Sequence, residues 1–122
     1  MTKEKKYKWH KIAESETEIQ NNGLVIIPLE LKGKKICLTK FQDKWYAFAG
    51  LCPHAGGLFA EGDMDLHGNV VCPLHRYKFS VKNGRNTSGE GYALKTYPVE
   101  IRPDGIFLGI EDNGFMNWLW DQ

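Results

Sequence analysis

Between Leu51 and Phe79 the chain reads LCPHAGGLFAEGDMDLHGNVVCPLHRYKF, with two Cys-Pro pairs, each followed within two residues by a His. One residue stands between Cys52 and His54, two stand between Cys72 and His75, and seventeen separate His54 from Cys72. Thiolate and imidazole both ligate zinc and the irons of sulfide clusters. If these four residues share a site, two distant loops must meet at one place, and no other stretch constrains the fold as much. Zinc sites usually pair Cys with Cys and His with His, at least two residues apart, so that each pair clasps one ion. Here each loop supplies one ligand of each kind. Two irons offer a geometric reason for that mixing, since each loop can reach across both and give its Cys to the inner iron and its His to the outer.

The flanks are strand-like. LVIIPLEL, KKICLTKF and KWYAFA are rich in Val, Ile, Trp, Tyr and Phe and are parted at Gly33-Lys34 and Gln42-Asp43, which predicts a meander of short antiparallel strands. ALKTYPVEIRPDGIFLGIED alternates again. Tyr97, Val99 and Ile101 are expected on one face and Thr96, Glu100 and Arg102 on the other, with Asp104-Gly105 closing a hairpin. AESETEIQNN allows a turn or two of helix before Asn22-Gly23 stops it. The expectation is an all-β antiparallel sandwich in which residues 50 to 91, rich in Gly and poor in β-branched residues, form a loop-rich insertion with a short hairpin.

A chain of 122 residues suits one domain, 1–122, with no room for a second, catalytic one. Sixteen Lys and Arg against 15 Asp and Glu leave a net charge of +1, which makes no electrostatic case for a nucleic-acid partner. MTKEKKYKWHK is dense in Lys and lacks an apolar run, so it reads as a solvated end and neither a secretory signal nor a membrane anchor. LVIIPL, the longest strongly apolar stretch, is far too short to span a membrane. A soluble, cytoplasmic protein is expected. Three cysteines argue against a disulfide framework there. Cys37, between Ile36 and Leu38, is expected to pack as a small hydrophobe.

Other tempting residues have simpler readings. His10 and His67 lack a Cys at ligand spacing, and Glu61, Asp63 and Asp65 lack the rest of a calcium loop and read as a solvated turn. GRNTSGEG lacks the strand, Lys and helix of a phosphate loop and is expected to be a flexible cover near the metal site. Asn86-Thr87-Ser88 is formally a glycosylation acceptor that a cytoplasmic chain would not use. The terminal FMNWLWDQ is expected to pack over the end of the sandwich. No nucleophile is paired with a base, so substrate chemistry is expected on another chain.

Cys52-x-His54 with Cys72-x-x-His75, the small AGG after the first His, an acidic turn, a strand into VVCPLH and the turn in KFSVKNG resemble Rieske-type ferredoxins over most of the chain. CPLHRYKF and LKTYPVEI look particularly like the free ferredoxins of ring-hydroxylating dioxygenases and the small subunit of assimilatory nitrite reductases. The resemblance implies one [2Fe-2S] cluster per chain, with Cys52 and Cys72 on a buried iron and His54 and His75 on one near solvent. It implies an electron carrier that is not itself an enzyme. Such a carrier takes one electron from a reductase and passes it to a terminal oxygenase that docks near the two histidines. A permanent small subunit of an NAD(P)H-dependent nitrite reductase is the alternative, and a zinc-stabilised structural module the remote one.

High-potential members of that family carry an extra Cys in each loop, joined as a disulfide, and a Ser and a Tyr two and four residues after the second His. Leu58 and Leu74 stand at the first positions here, and Tyr77 and Phe79 at the second. The bulk of Tyr77 is expected to turn it outward or into packing. Of the range of about −150 to +300 mV open to such centres, the lower third is expected.

Overall fold

The computed structural model describes residues 6–20 and 23–111; FMNWLWDQ lies outside the described residues. The elements run β1 (Tyr7–Ala13), α1 (Glu16–Gln20), β2 (Ile26–Leu31), β3 (Lys34–Phe41), β4 (Lys44–Ala49), a 3-10 turn (Phe59–Glu61), β5 (Asp63–Met64), β6 (Asn69–Val71), β7 (Lys78–Ser80), β8 (Thr96–Tyr97), β9 (Val99–Arg102) and β10 (Gly105–Glu111). They form three antiparallel sheets, ordered β1-β10-β9, β2-β3-β4-β8 and β5-β6-β7. The expected all-β fold is observed, with α1 as the short helix before Gly23.

The meander β2-β3-β4 is made by two-residue hairpins. Leu31 pairs with Lys34 and Phe41 with Lys44, and the turn residues Lys32, Gly33, Gln42 and Asp43 have φ of 53°, 76°, 51° and 68°. Positive φ at both central positions gives the turn a twist that matches the strands. The first turn is therefore Lys32-Gly33, one residue earlier than the sequence suggested.

The β2-β3-β4-β8 sheet is covered on both faces, and strand periodicity divides its side chains between two cores. Ile36, Leu38 and Ala47 face the β1-β10-β9 sheet and join Ile106 and Leu108. Cys37 and Phe48 belong to the opposite core with Phe59, Val70 and Phe79, which gives Cys37 the packing role expected of it. Phe59 stands edge-on to both Phe48 and Phe79, at 5.8 and 6.0 Å between centroids. Each such ring contributes about 1.5–3 kcal/mol by burial, so the β5-β6-β7 sheet is anchored on an aromatic floor.

Three further expectations need correction. MTKEKKYKWHK reads as a solvated end, yet from Tyr7 onward it belongs to a strand, β1, paired with β10; its exposed lysines mask the alternation, while Trp9 lies under the Arg102 guanidinium at 5.4 Å. The run from Ala93 to Glu111 is not one alternating unit. Its β8 pairs with β4 and its β9 with β10, and the switch falls at Pro98, whose ring nitrogen has no proton to donate to a ladder. Ile101 is consequently 54% exposed, whereas Arg102 covers the Phe107 ring at 4.3 Å. Finally, Gly105 pairs with Arg102, so Pro103-Asp104 is the turn and Gly105, at φ 148°, opens β10.

Candidate metal centre

The two Cys-Pro loops share one backbone frame. In the first, the Cys52 N–H donates to the Gly57 carbonyl (2.8 Å) and the Gly56 N–H to the Cys52 carbonyl (2.9 Å). In the second, the Cys72 N–H donates to the Tyr77 carbonyl and the Arg76 N–H to the Cys72 carbonyl, both at 2.9 Å. The fourth residue after each Cys is left-handed, Gly56 at φ 73° and Arg76 at 59°. A non-glycine residue in that region costs about 1–2 kcal/mol, which the closed frame around Arg76 offsets. The unequal spacing of the motifs now has a structural meaning: the frames are equal in length, and His occupies the second position after Cys in one and the third in the other.

Folding sorts the four candidate ligands by type. Cys52 and Cys72 are buried, 3% and 1% exposed, and their thiols meet. Burial, and then the neighbouring Cys72 thiol, push the Cys52 thiol above its ordinary range, against the pull of the His54 and Ala55 backbone N–H groups that donate to its sulfur. The His54 and His75 rings lie edge to face, 5.1 Å apart. His75 is exposed and His54 half-buried. Thiol stands beside thiol and imidazole beside imidazole, although each loop carries one of each.

Two features of this geometry fit a sulfide-bridged iron pair. The Nδ1 atom of His54 is buried without a hydrogen-bond partner, a costly state for a polar atom that a metal bond would relieve. Gly57 leaves room that a side chain would take, since a Cβ there would sit 2.9 Å from the Cys72 sulfur and 3.0 Å from Leu74 Cγ. Among the described residues no three His, Cys, Asp or Glu side chains are grouped as a single ion would require.

Two tyrosines complete the site. Tyr77 stacks on His54, centroids 4.2 Å apart and planes 27° from parallel, and Tyr92 stands 5.3 Å from the same ring. Tyr92 carries no signal in the sequence, because it lies just beyond GRNTSGEG in a stretch without strand periodicity. That stretch is held in place by Asn86: its Nδ2 donates to the Lys78 carbonyl (3.0 Å), Ser88 Oγ (3.2 Å) and Glu90 Oε1 (2.9 Å), and its Oδ1 accepts from the Glu90 and Gly91 N–H groups. Hydrogen bonds from Ser88 and then Asn86 hold the Glu90 carboxyl below its ordinary pKa.

The remaining sequence candidates lie elsewhere. His10 is on β1 opposite Leu108. Asp65 organises the turn before β6 by accepting from the His67 N–H, the Asn69 N–H and Asn69 Nδ2, each at 2.9 Å. Burial works against ionisation of Asp65, but these bonds and the charge of Lys78 outweigh it and bring its pKa down to about 2. Asp63 forms a loose ion pair with Arg76 at 3.9 Å.

Residues 8–98 match the Rieske [2Fe-2S] domain family. The chain is 26% identical over 77 residues to the ferredoxin component of the alkene monooxygenase system of Xanthobacter autotrophicus, covering 63% of either chain. It is 27% identical over 86 residues to the ferredoxin component of the naphthalene 1,2-dioxygenase system of Pseudomonas aeruginosa, covering 70% of this chain and 82% of that one. The fold is shared with the ferredoxin of carbazole 1,9a-dioxygenase from Nocardioides aromaticivorans, with a TM-score of 0.64 and 24% identity over 70% of this chain and 84% of that one.

Proposed function

The chain belongs to the Rieske [2Fe-2S] domain family, and from that premise we propose that it is a one-electron carrier of an oxygenase system. It takes an electron from a reductase and delivers it to a terminal oxygenase. In this reading Cys52 and Cys72 hold one iron, His54 and His75 hold the other, and residues 50 to 91 are the cluster-binding part of the domain. The observation that supports it best is the sorting of thiols inward and imidazoles outward.

When bound, the cluster supplies a one-electron couple. The chain's own residues decide where that electron is exchanged and at what potential. Cys52 and Cys72 sit above the Phe48, Phe59 and Phe79 core, which keeps water from the thiolate side. His75 is exposed beside Leu74, itself 55% exposed, and Leu58 is 39% exposed. A partner's surface can therefore come close to the imidazole edges there. No helix among the described residues is long and apolar enough to cross a membrane, and we place the carrier in the cytoplasm.

Hydrogen bonds to the sulfurs raise the potential by favouring the more negative, reduced state. Backbone N–H groups of His54 and Ala55 supply such bonds to Cys52, but Phe79 has no hydroxyl and Tyr77 places its ring on His54. A midpoint below about 0 mV follows, suited to an electron from a flavin or nicotinamide donor. Protein-film voltammetry at neutral pH tests this, and a midpoint above about +150 mV would contradict it. Permanent association with a large catalytic subunit after co-expression would instead make the chain a reductase small subunit.

A further inference from the structure

We infer that Glu90 is a fixed negative charge placed at the imidazole side of the centre, where it holds the reduction potential down. The inference rests on the electron-carrier reading above. Residues 87 to 91 are exposed, and Gly89 and Gly91 take φ of 91° and 88°, so no core dictates the shape of this loop. It is nonetheless tied to β7, directly after the second Cys-Pro loop. The Thr87 N–H donates to the Lys78 carbonyl at 2.9 Å and the Lys78 N–H to Ser88 Oγ at 2.9 Å, besides the bonds made by the Asn86 side chain. What those bonds position is the Glu90 carboxylate, which accepts from Asn86 Nδ2 and from the Ser88 hydroxyl.

Both of those partners are neutral, so they hold the charge without cancelling it. The carboxylate lies within coulombic reach of His54, whose influence on it is the smallest of those that lower its pKa, and of Tyr77, and two residues later Tyr92 closes beside His54. The cations nearby have carboxylates of their own: Arg76 faces Asp63 at 3.9 Å and Lys78 faces Asp65 at 3.6 Å. A centre that accepts an electron gains a negative charge, and a nearby anion opposes that gain. An ordinary surface Glu would swing away and be screened. The Asn86 bonds prevent the swing, although salt still weakens the effect.

The test is film voltammetry of the cluster-loaded protein at pH 7, in low and high salt, for wild type, Glu90→Gln, Glu90→Lys and Asn86→Ala. The midpoint is expected to shift upward in Glu90→Gln and further in Glu90→Lys, with both gaps narrowing in high salt. Asn86→Ala, which frees the carboxylate without removing it, should shift upward by less than Glu90→Gln. Iron content and the reduced paramagnetic signal should stay as in wild type. Midpoints equal to wild type in both Glu90 variants, or equal shifts for Gln and Lys, would overturn the inference, because mere loop disturbance does not follow charge. Wild-type protein lacking a Rieske signal would overturn the underlying reading, a result distinct from a flat Glu90 series.

Discussion

Tyr77 closes one Cys-Pro loop and covers the His of the other: its carbonyl accepts from the Cys72 N–H at 2.9 Å, while its ring lies on His54 with 4.2 Å between centroids. The two loops are thereby coupled through one residue as well as through any metal they share. An aromatic pair of this kind contributes about 0.5–1.5 kcal/mol beyond its buried area. Tyr77→Phe is expected to keep the stack and release its cluster at the wild-type temperature. Tyr77→Leu should lose its visible absorbance several degrees earlier on heating, and equal bleaching temperatures for both variants would remove the role given to the ring.

The two glycines of the first loop separate strain from obstruction. At Gly57 a Cβ would press on the Cys72 sulfur at 2.9 Å, whereas at Gly56, with φ of 73°, it would meet nothing within 4 Å. Gly56→Ala is expected to lower stability by about 1 kcal/mol and still assemble the cluster. Gly57→Ala should purify with a clearly reduced iron and sulfide content. Full loading of Gly57→Ala would show that the space beside Cys72 is not required.

Much of this architecture is legible in the sequence, and the rest is hidden for physical reasons. The β2-β3-β4 meander shows because its apolar alternation and its turn residues agree locally. The four candidate ligands show because soft ligands in Cys-Pro-rich loops are chemically distinctive. β1 was hidden by its lysines and by a partner strand at the other end of the chain. Pro98 sits within an apolar alternation that reads as one strand, yet it is where the chain changes sheets. The equal frames of the two loops depend on backbone hydrogen bonds, and the shape of the loop that carries Glu90 and leads to Tyr92 depends on one Asn side chain; neither leaves a periodic pattern to read.

Cys37 gives a prediction in pH. Burial raises its thiol from an ordinary 9.0 to about 11, so the folded chain holds this proton more tightly than the unfolded one. Its contribution to stability is complete below pH 9.0 and is lost as pH climbs toward about 11. Cys37→Ala is expected to keep its cluster and, in denaturant titrations, to gain on wild type between about pH 8 and pH 10.5. A stability difference that stays constant across that window would show that the thiol does not titrate as described.

The central claim is that Cys52, His54, Cys72 and His75 together hold one two-iron cluster. Iron, zinc and acid-labile sulfide analysis, combined with electron paramagnetic resonance of the dithionite-reduced protein, tests it most directly for wild type and the four single Ala variants. The account predicts a red-brown wild type with about two irons and two sulfides per chain and a Rieske-type signal. That signal should be lost in every one of the four variants and kept in Cys37→Ala. One zinc with no sulfide in the wild type, or an unchanged Rieske signal after removal of either His, would contradict it.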